Sequence, residues 1–181
     1  MTLPNIITMA RISLIPVFVI FLLCPWEYGE WAALVVFAIA SMTDGIDGHI
    51  ARKYNLVSDF GKFMDPTADK LLVSTAMVLL VEKGWLSGVM VCIILAREFM
   101  VTSLRQVAVA KGRVLAAAWS GKVKTTVQIL GVLILLSPLR DMGGESITVG
   151  LIAGWVMTLV TIYSGYDYLK SNWDIIKQGN K

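Results

Sequence analysis

Six long apolar runs constrain the fold of this chain more than any other feature of its sequence. They cover residues 6–24, 31–48, 68–80, 89–109, 123–136 and 149–168. A helix needs about 20 residues to cross a hydrocarbon layer of about 30 Å, so the short third and fifth runs are expected to extend into the polar residues before them. With 56% hydrophobic residues among 181, the sequence predicts an all-α integral membrane protein with six transmembrane helices.

No repeat, linker or low-complexity tract divides the chain, so residues 1–181 are expected to form a single membrane domain. Residues 2–7 are predicted to be a short interfacial segment before the first span, because Pro4 fits a helix start better than a helix interior. Cys24 and Cys92 lie in apolar surroundings, which favours reduced, buried thiols over a disulfide or a reactive site.

Basic residues are divided unevenly between the two sides of this predicted bundle. If the N-terminus is inside, the connections at 25–30, 82–88 and 137–148 contain only Lys83 and Arg140 as basic residues. The other side holds most of the remaining lysines and arginines. The positive-inside rule then predicts a multi-pass protein of the inner (cytoplasmic) membrane with both termini in the cytoplasm.

Four aspartates lie where the second run ends and the third begins: Asp44, Asp47, Asp65 and Asp69. On a helix the first two are about 60° apart and the last two about 40° apart, so each pair shares a face. Four such anions near a membrane need a compensating cation. All-oxygen ligands suit Mg²⁺ or Mn²⁺, whereas zinc usually recruits His or Cys. We therefore expect a one- or two-metal carboxylate site facing the cytoplasm.

A second group of candidate residues is cationic: Arg105, Arg113, Lys122 and Lys124 border the predicted cytoplasmic loop 111–121. Each residue alone could be an anchor to anionic headgroups, but together beside a metal site they are typical of a phosphate pocket. Arg97, midway along the fourth run, could belong to this cationic group or could form a structural pair with Glu98 or another buried acid. Near the N-terminus, Asn5, Thr8 and Arg11 recur at helical spacing, and interfacial snorkelling explains Arg11 as well as ligand binding does.

The stretch DGIDGHIAR, followed by NLVSDFGKFMDPTAD, resembles the signature of the CDP-alcohol phosphotransferases. That signature is Asp, two residues, Asp-Gly, two residues, Ala-Arg, eight residues, Gly, three residues, Asp, three residues, Asp. Every fixed position is filled, by Asp44, Asp47, Gly48, Ala51, Arg52, Gly61, Asp65 and Asp69. LPNIITMARI, AREF with SLR, and GKVKTT are similar to the bacterial phosphatidylglycerophosphate synthase branch of that family.

The resemblance implies a six-helix membrane fold, usually a homodimer, that transfers the phosphatidyl group of CDP-diacylglycerol to sn-glycerol 3-phosphate and releases CMP. By position, the four aspartates would hold the divalent metals, and Asp69 would also be the general base. Gly48, Arg52 and Gly61 would bind the CDP group, with contributions from Asn5 and Thr8. Arg105, Arg113, Lys122 and Lys124 would bind the acceptor phosphate.

Other functions stay open at this point. A relative with the same chemistry could use inositol phosphate, serine or phosphatidylglycerol as its acceptor, although the basic loop favours a phosphorylated alcohol over serine. A divalent-cation transporter is a rival from another class, but it would distribute its acids near the membrane midplane, usually within inverted repeats. No nucleic-acid partner is expected.

Overall fold

The computed structural model describes residues 3–54, 59–113, 115, 118–144 and 147–173, except for the side chains of 3–7, 44–54, 59–66 and 69. These residues form an all-α fold. The helices are α1 (Leu3–Leu23), α2 (Gly29–Tyr54), α3 (Asp59–Glu82), α4 (Gly88–Ala110), α5 (Trp119–Leu136) and α6 (Val149–Ser171), with a 3₁₀ helix at Pro138–Asp141 between α5 and α6.

The six predicted apolar runs each correspond to one helix in the described part of the chain, which confirms the predicted helix count. As expected, the third and fifth helices extend into the preceding polar residues, to Asp59 and Trp119. The N-terminus differs from the prediction. Helix α1 is continuous from Leu3 to Leu23, so residues 3–7 are its first turns and not a separate segment. Pro4 is tolerated there because the first turn of a helix needs no backbone donor.

The distribution of side chains is polar inside and apolar outside at many positions. Thr8, Arg11, Gln128, Thr161 and Ser164 are each at most 2% exposed. Large apolar side chains on every helix are exposed, and those of α6 include Leu151, Trp155, Leu159, Ile162 and Tyr163. Water would penalise such an outer surface, whereas lipid would not.

Two helices in the described residues are long and apolar enough to cross a membrane. They are α5, with a mean hydropathy of 1.2, and α6, with 1.4. Shorter apolar stretches occupy Thr8–Leu23 of α1 and Gly29–Thr43 of α2. The motif-bearing ends of α2 and α3 carry several charged residues, which lowers the mean hydropathy of these two helices.

Both cysteines are free thiols, as predicted. Both are exposed, however, so the prediction that they are buried was wrong. Cys24 follows the last residue of α1, and Cys92 lies beside the exposed Ile93 on the outer face of α4. An apolar run cannot distinguish a residue that faces other helices from one that faces outward, because lipid accepts both.

Arg140 contacts residues from two other parts of the chain at the end of the bundle where α2 begins. Its Nη2 donates to Glu30 Oε2 over 3.0 Å, and Glu30 lies in the first turn of α2. The Arg140 guanidinium also stacks on Trp85, between α3 and α4, at 3.7 Å from the ring centroid. A cation over an indole face is the strongest form of cation–π contact. From the α5–α6 connection, this side chain thus reaches the start of α2 and the α3–α4 connection at this end, which we call the Arg140 end.

Candidate functional site: a basic cavity at one end of the helix bundle

A cavity of about 540 Å³ opens between the helices at the end opposite Arg140. Its walls come from the middle of α2 and α3, the middle and second half of α4, the first half and middle of α5, and the end of α6. Among its described lining residues, five are cationic: Lys70, Arg97, Arg105, Lys122 and Lys124. Glu98 is the one carboxylate in the same set, so the described lining has an excess of positive charge.

Glu98 connects two of these cations. Its Oε1 accepts from Arg97 Nη1 over 3.0 Å and lies 2.5 Å from Lys124 Nζ. The three side chains are between 6% and 17% exposed, so water screens the pairs only partly. This geometry joins α4 to α5 within the wall of the cavity.

Further hydrogen bonds fix these charged groups to the other helices. Arg97 Nη2 donates to Ser164 Oγ of α6 over 2.7 Å. Arg105 Nε donates to Tyr168 Oη over 3.0 Å, and its guanidinium lies 5.4 Å from the centre of that ring. From α3, Lys70 Nζ donates to Thr102 Oγ1 of α4, which itself donates to the backbone carbonyl of Glu98. The cationic lining is therefore held by α3, α4, α5 and α6 together.

Three of the four predicted phosphate-binding residues line this one cavity. Lys124 is 5% exposed despite its charge, whereas Arg105 and Lys122 are exposed at the opening. Arg113 is also exposed, but it is not among the described lining residues. Arg97 forms the structural pair with Glu98 and also lines the cavity, so the two interpretations of this residue do not exclude each other.

The motif residues Asp44, Asp47, Gly48 and Arg52 fall within α2, and Gly61, Asp65 and Asp69 fall within α3. Their side chains lie outside the described residues. Their positions in the chain still relate them to the cavity: Lys70 directly follows Asp69, and Ser41 precedes Asp44 by less than one helical turn, and both line it. No group of three potential metal ligands occurs among the described residues.

The predicted N-terminal residues lie at the start of α1. Thr8 and Arg11 are 0% and 1% exposed, so both point into the bundle. This burial excludes an exposed, snorkelling position for Arg11. The side chain of Asn5 is outside the described residues.

Sequence reasoning missed several polar residues of the cavity, including Lys70, Thr102, Gln128 and Tyr168. Gln128 is 2% exposed and donates to Thr161 of α6 over 3.2 Å. A buried amide in an apolar helix is a usable signal, because it requires a partner. Lys70 also had a signal, since it directly follows the last motif aspartate. Thr102 and Tyr168 had none at the level of sequence.

The cavity has donors available for an anion. Arg97 Nε and Ser41 Oγ are buried without a hydrogen-bond partner among the described residues. Guanidinium and ammonium groups are the usual protein ligands of phosphate, with arginine able to bind two oxygens at once. The arrangement is therefore suited to a phosphorylated polar ligand that enters next to the two motif helices.

Comparisons with known proteins agree with this chemistry. The sequence model of the family described as CDP-alcohol phosphatidyltransferase matches residues 1–163. A CDP-diacylglycerol–glycerol-3-phosphate 3-phosphatidyltransferase of Bacillus subtilis is 44% identical over 98% of this chain and 98% of its own. Proteins with the same name are 38% identical in Rickettsia bellii, over 93% and 94%, and 35% identical in Pseudomonas fluorescens, over 98% and 93%. The matched region contains both motif helices and every cation of the cavity, and the chain therefore belongs to the CDP-alcohol phosphatidyltransferase family.

Proposed function

We propose that this protein transfers the phosphatidyl group of CDP-diacylglycerol to sn-glycerol 3-phosphate, which yields phosphatidylglycerophosphate and CMP for phospholipid synthesis. The full-length similarity to relatives with that name supports the reaction. The observation that carries the choice of acceptor is the cavity with five cationic side chains beside the motif helices. A phosphorylated alcohol satisfies such a lining, whereas serine would leave it uncompensated.

The reaction needs no covalent intermediate on the protein. A hydroxyl oxygen of the acceptor attacks the phosphorus attached to diacylglycerol, the bond from that phosphorus to the CMP oxygen breaks, and CMP leaves with the electron pair. The hydroxyl proton goes to a base, which we assign to Asp69. Positioning and electrostatic stabilisation can supply most of the rate acceleration in phosphoryl transfer.

Asp44, Asp47, Asp65 and Asp69 would hold Mg²⁺ or Mn²⁺, because their all-oxygen donor set fits hard divalent cations. When bound, such ions would neutralise the pyrophosphate and stabilise the attacking and leaving oxygens. Gly48, Arg52 and Gly61 would bind the CDP group, with Asn5 and Thr8 as further contacts. Arg105, Lys122 and Lys124 would bind the acceptor phosphate within the cavity, and Arg113 would attract it from outside.

We further propose that residues 1–181 form one domain of six transmembrane helices, with the cavity and both termini on the cytoplasmic side of the inner membrane. The apolar outer surface and the distribution of basic residues support this orientation. A homodimer in contact with membrane lipid completes the proposal. Exposed aromatic and aliphatic side chains on α6 are available for lipid or a second copy.

An acceptor panel tests the function directly. Purified protein with CDP-diacylglycerol and Mg²⁺ is offered glycerol 3-phosphate, inositol 1-phosphate, serine and phosphatidylglycerol in turn, and CMP release is measured. Release with glycerol 3-phosphate alone is the expected result. Release with another alcohol alone would refute the acceptor assignment. No release with any acceptor would refute the proposed enzymatic activity.

A further inference from the structure

The carboxylate of Glu98 lies in a cavity whose other described charged lining residues are cations. It is within the wall, 17% exposed, with Lys124 Nζ at 2.5 Å. The same carboxylate pairs with Arg97, which has a second partner in Ser164 of α6. Besides Arg97, the acid thus interacts with the most deeply buried lysine of the proposed phosphate pocket.

A phosphate that enters this cavity encounters Glu98 as a like charge. Lysine is a point charge on a flexible stem, so Lys124 can turn its ammonium from the carboxylate toward a phosphate over a short distance. The two anions then compete for one cation. Binding of the phosphate is weaker than the five cations alone would give, because part of the Lys124 interaction with Glu98 must be given up.

This competition matters because of the chemistry of the product. In the proposed reaction the acceptor's phosphate is not transferred, so it remains on phosphatidylglycerophosphate and occupies the same cations after CMP is formed. A pocket without an opposing charge would therefore retain the product as well as the substrate. An interaction that weakens the binding of substrate and product equally raises the KM for the acceptor but allows the product to dissociate.

We propose that Glu98 is a positioning residue that acts through Lys124: it is an internal counter-ion that holds this lysine when the pocket is empty and weakens phosphate binding so that product can leave. The inference rests on the proposed function for its substrate. The new element is that an acidic residue, Glu98, controls the affinity of the basic pocket for phosphate.

The test is Glu98→Gln, which keeps a hydrogen-bond acceptor for Lys124 but removes the charge. We expect the KM for glycerol 3-phosphate to fall roughly fivefold and inhibition by added phosphatidylglycerophosphate to strengthen by a similar factor. The KM for CDP-diacylglycerol should stay unchanged. Glu98→Asp retains the charge and should restore values close to those of the wild type.

Glu30→Gln is the matched control, since it removes the charge of another helix acid whose arginine partner is also 3.0 Å away, at the Arg140 end. It should leave both KM values unchanged. A higher or unchanged KM for glycerol 3-phosphate in Glu98→Gln, in protein with wild-type thermal stability, would mean that Glu98 only holds Lys124 in place.

Binding measured without turnover separates this inference from the proposed function. The wild type, Glu98→Gln and Glu98→Asp are titrated with inorganic phosphate, and the thermal stabilisation of each protein is followed. If the wild type releases no CMP with glycerol 3-phosphate, the proposed function fails. Tighter phosphate binding by Glu98→Gln would still support the counter-ion, and equal or weaker binding would overturn it. A Glu98→Gln protein that does not fold, together with a Glu98→Asp protein that binds phosphate more weakly than the wild type, would also overturn it.

Discussion

Lys124 is a charged side chain in an environment that usually excludes charge. It is 5% exposed, and its ammonium interacts with Glu98 across the boundary between α4 and α5. A lysine that served only as a headgroup anchor would be exposed at the end of its helix. The burial of Lys124 instead favours a ligand-binding role.

Lys124→Ala should raise the KM for glycerol 3-phosphate by roughly tenfold or more, because a charged hydrogen bond is lost and Glu98 then faces the phosphate directly. The KM for CDP-diacylglycerol should change far less. Steady-state kinetics with each substrate varied in turn measure both. Lys170→Ala, an exposed lysine on the last turn of α6, is the control. Equal effects on the two substrates would remove Lys124 from the acceptor pocket.

Asp69→Asn should reduce turnover by about 10²- to 10⁴-fold, the range typical for loss of a general base, while much of the CDP-diacylglycerol binding remains because three motif acids are retained. Single-turnover CMP release and equilibrium binding of the lipid nucleotide measure the two effects. Asp141→Asn, whose side chain is 73% exposed at the Arg140 end, should behave as the wild type. If Asp69→Asn retains more than a few per cent of the wild-type rate, Asp69 is not the general base.

At the residue scale, charge in apolar surroundings was the signal that sequence reasoning could use. Lys124 was predicted from the group of cations that border the loop 111–121, whereas charge in apolar surroundings pointed to Arg97 and a possible pair with Glu98, which the structure contains. Sequence reasoning could not identify Tyr168, because a tyrosine at the end of an apolar helix is equally typical of a membrane interface. Nor could it show that Arg113 is outside the cavity lining, since residues in one loop diverge in space.

At the scale of elements, α5 and α6 approach each other closely because α5 has a glycine at the contact. A β-carbon on Gly131 would lie 2.6 Å from Met157 Cγ of α6, closer than real contacts allow. Near this contact, the Thr161 hydroxyl accepts a hydrogen bond from Gln128 of α5 and donates one to the backbone carbonyl of Met157 in its own helix. In lipid, the hydrophobic effect does not drive two helices together. Small residues at a helix interface stabilise it instead, because they allow close van der Waals packing.

Gly131→Ala should therefore destabilise the protein by about 1–3 kcal/mol through overpacking against Met157. Thermal unfolding in detergent measures the change, and Met157→Ala in the same chain should restore part of the loss. Gly121→Ala in the same helix is the control, because a β-carbon there meets nothing within 4 Å. If both alanine variants have the same melting temperature, the close contact has no energetic importance.

Helix positions could be predicted from the apolar runs, but helix faces could not. The third and fifth helices extend into the preceding polar residues, as the minimum length of a membrane span had predicted. The prediction of a separate segment at residues 2–7 was wrong, because a proline in a first turn is as compatible with a continuing helix as with a break. Cys92 was misplaced because lipid-facing and buried residues are both apolar.

At the scale of the whole molecule, the proposed metal site has a direct test. Removal of divalent cations with a chelator should abolish CMP release, because the four motif aspartates would then repel both each other and the pyrophosphate. Either Mg²⁺ or Mn²⁺ should restore activity, and the same titration on Asp44→Asn should require a higher metal concentration. Full activity after exhaustive chelation would refute the metal-dependent mechanism.

The contacts of Arg140 also have a consequence for how the chain assembles. Glu30 and Trp85 precede Arg140 in the sequence, so during synthesis both are in place before their common partner exists. In the proposed orientation, Arg140 reaches them only when α5 has been inserted and the link to α6 has crossed the membrane. The start of α2 and the α3–α4 connection are therefore joined to the α5–α6 connection in a single late event. A nascent chain that stops just short of residue 140 has its first five helices but lacks the Arg140 contacts at that end.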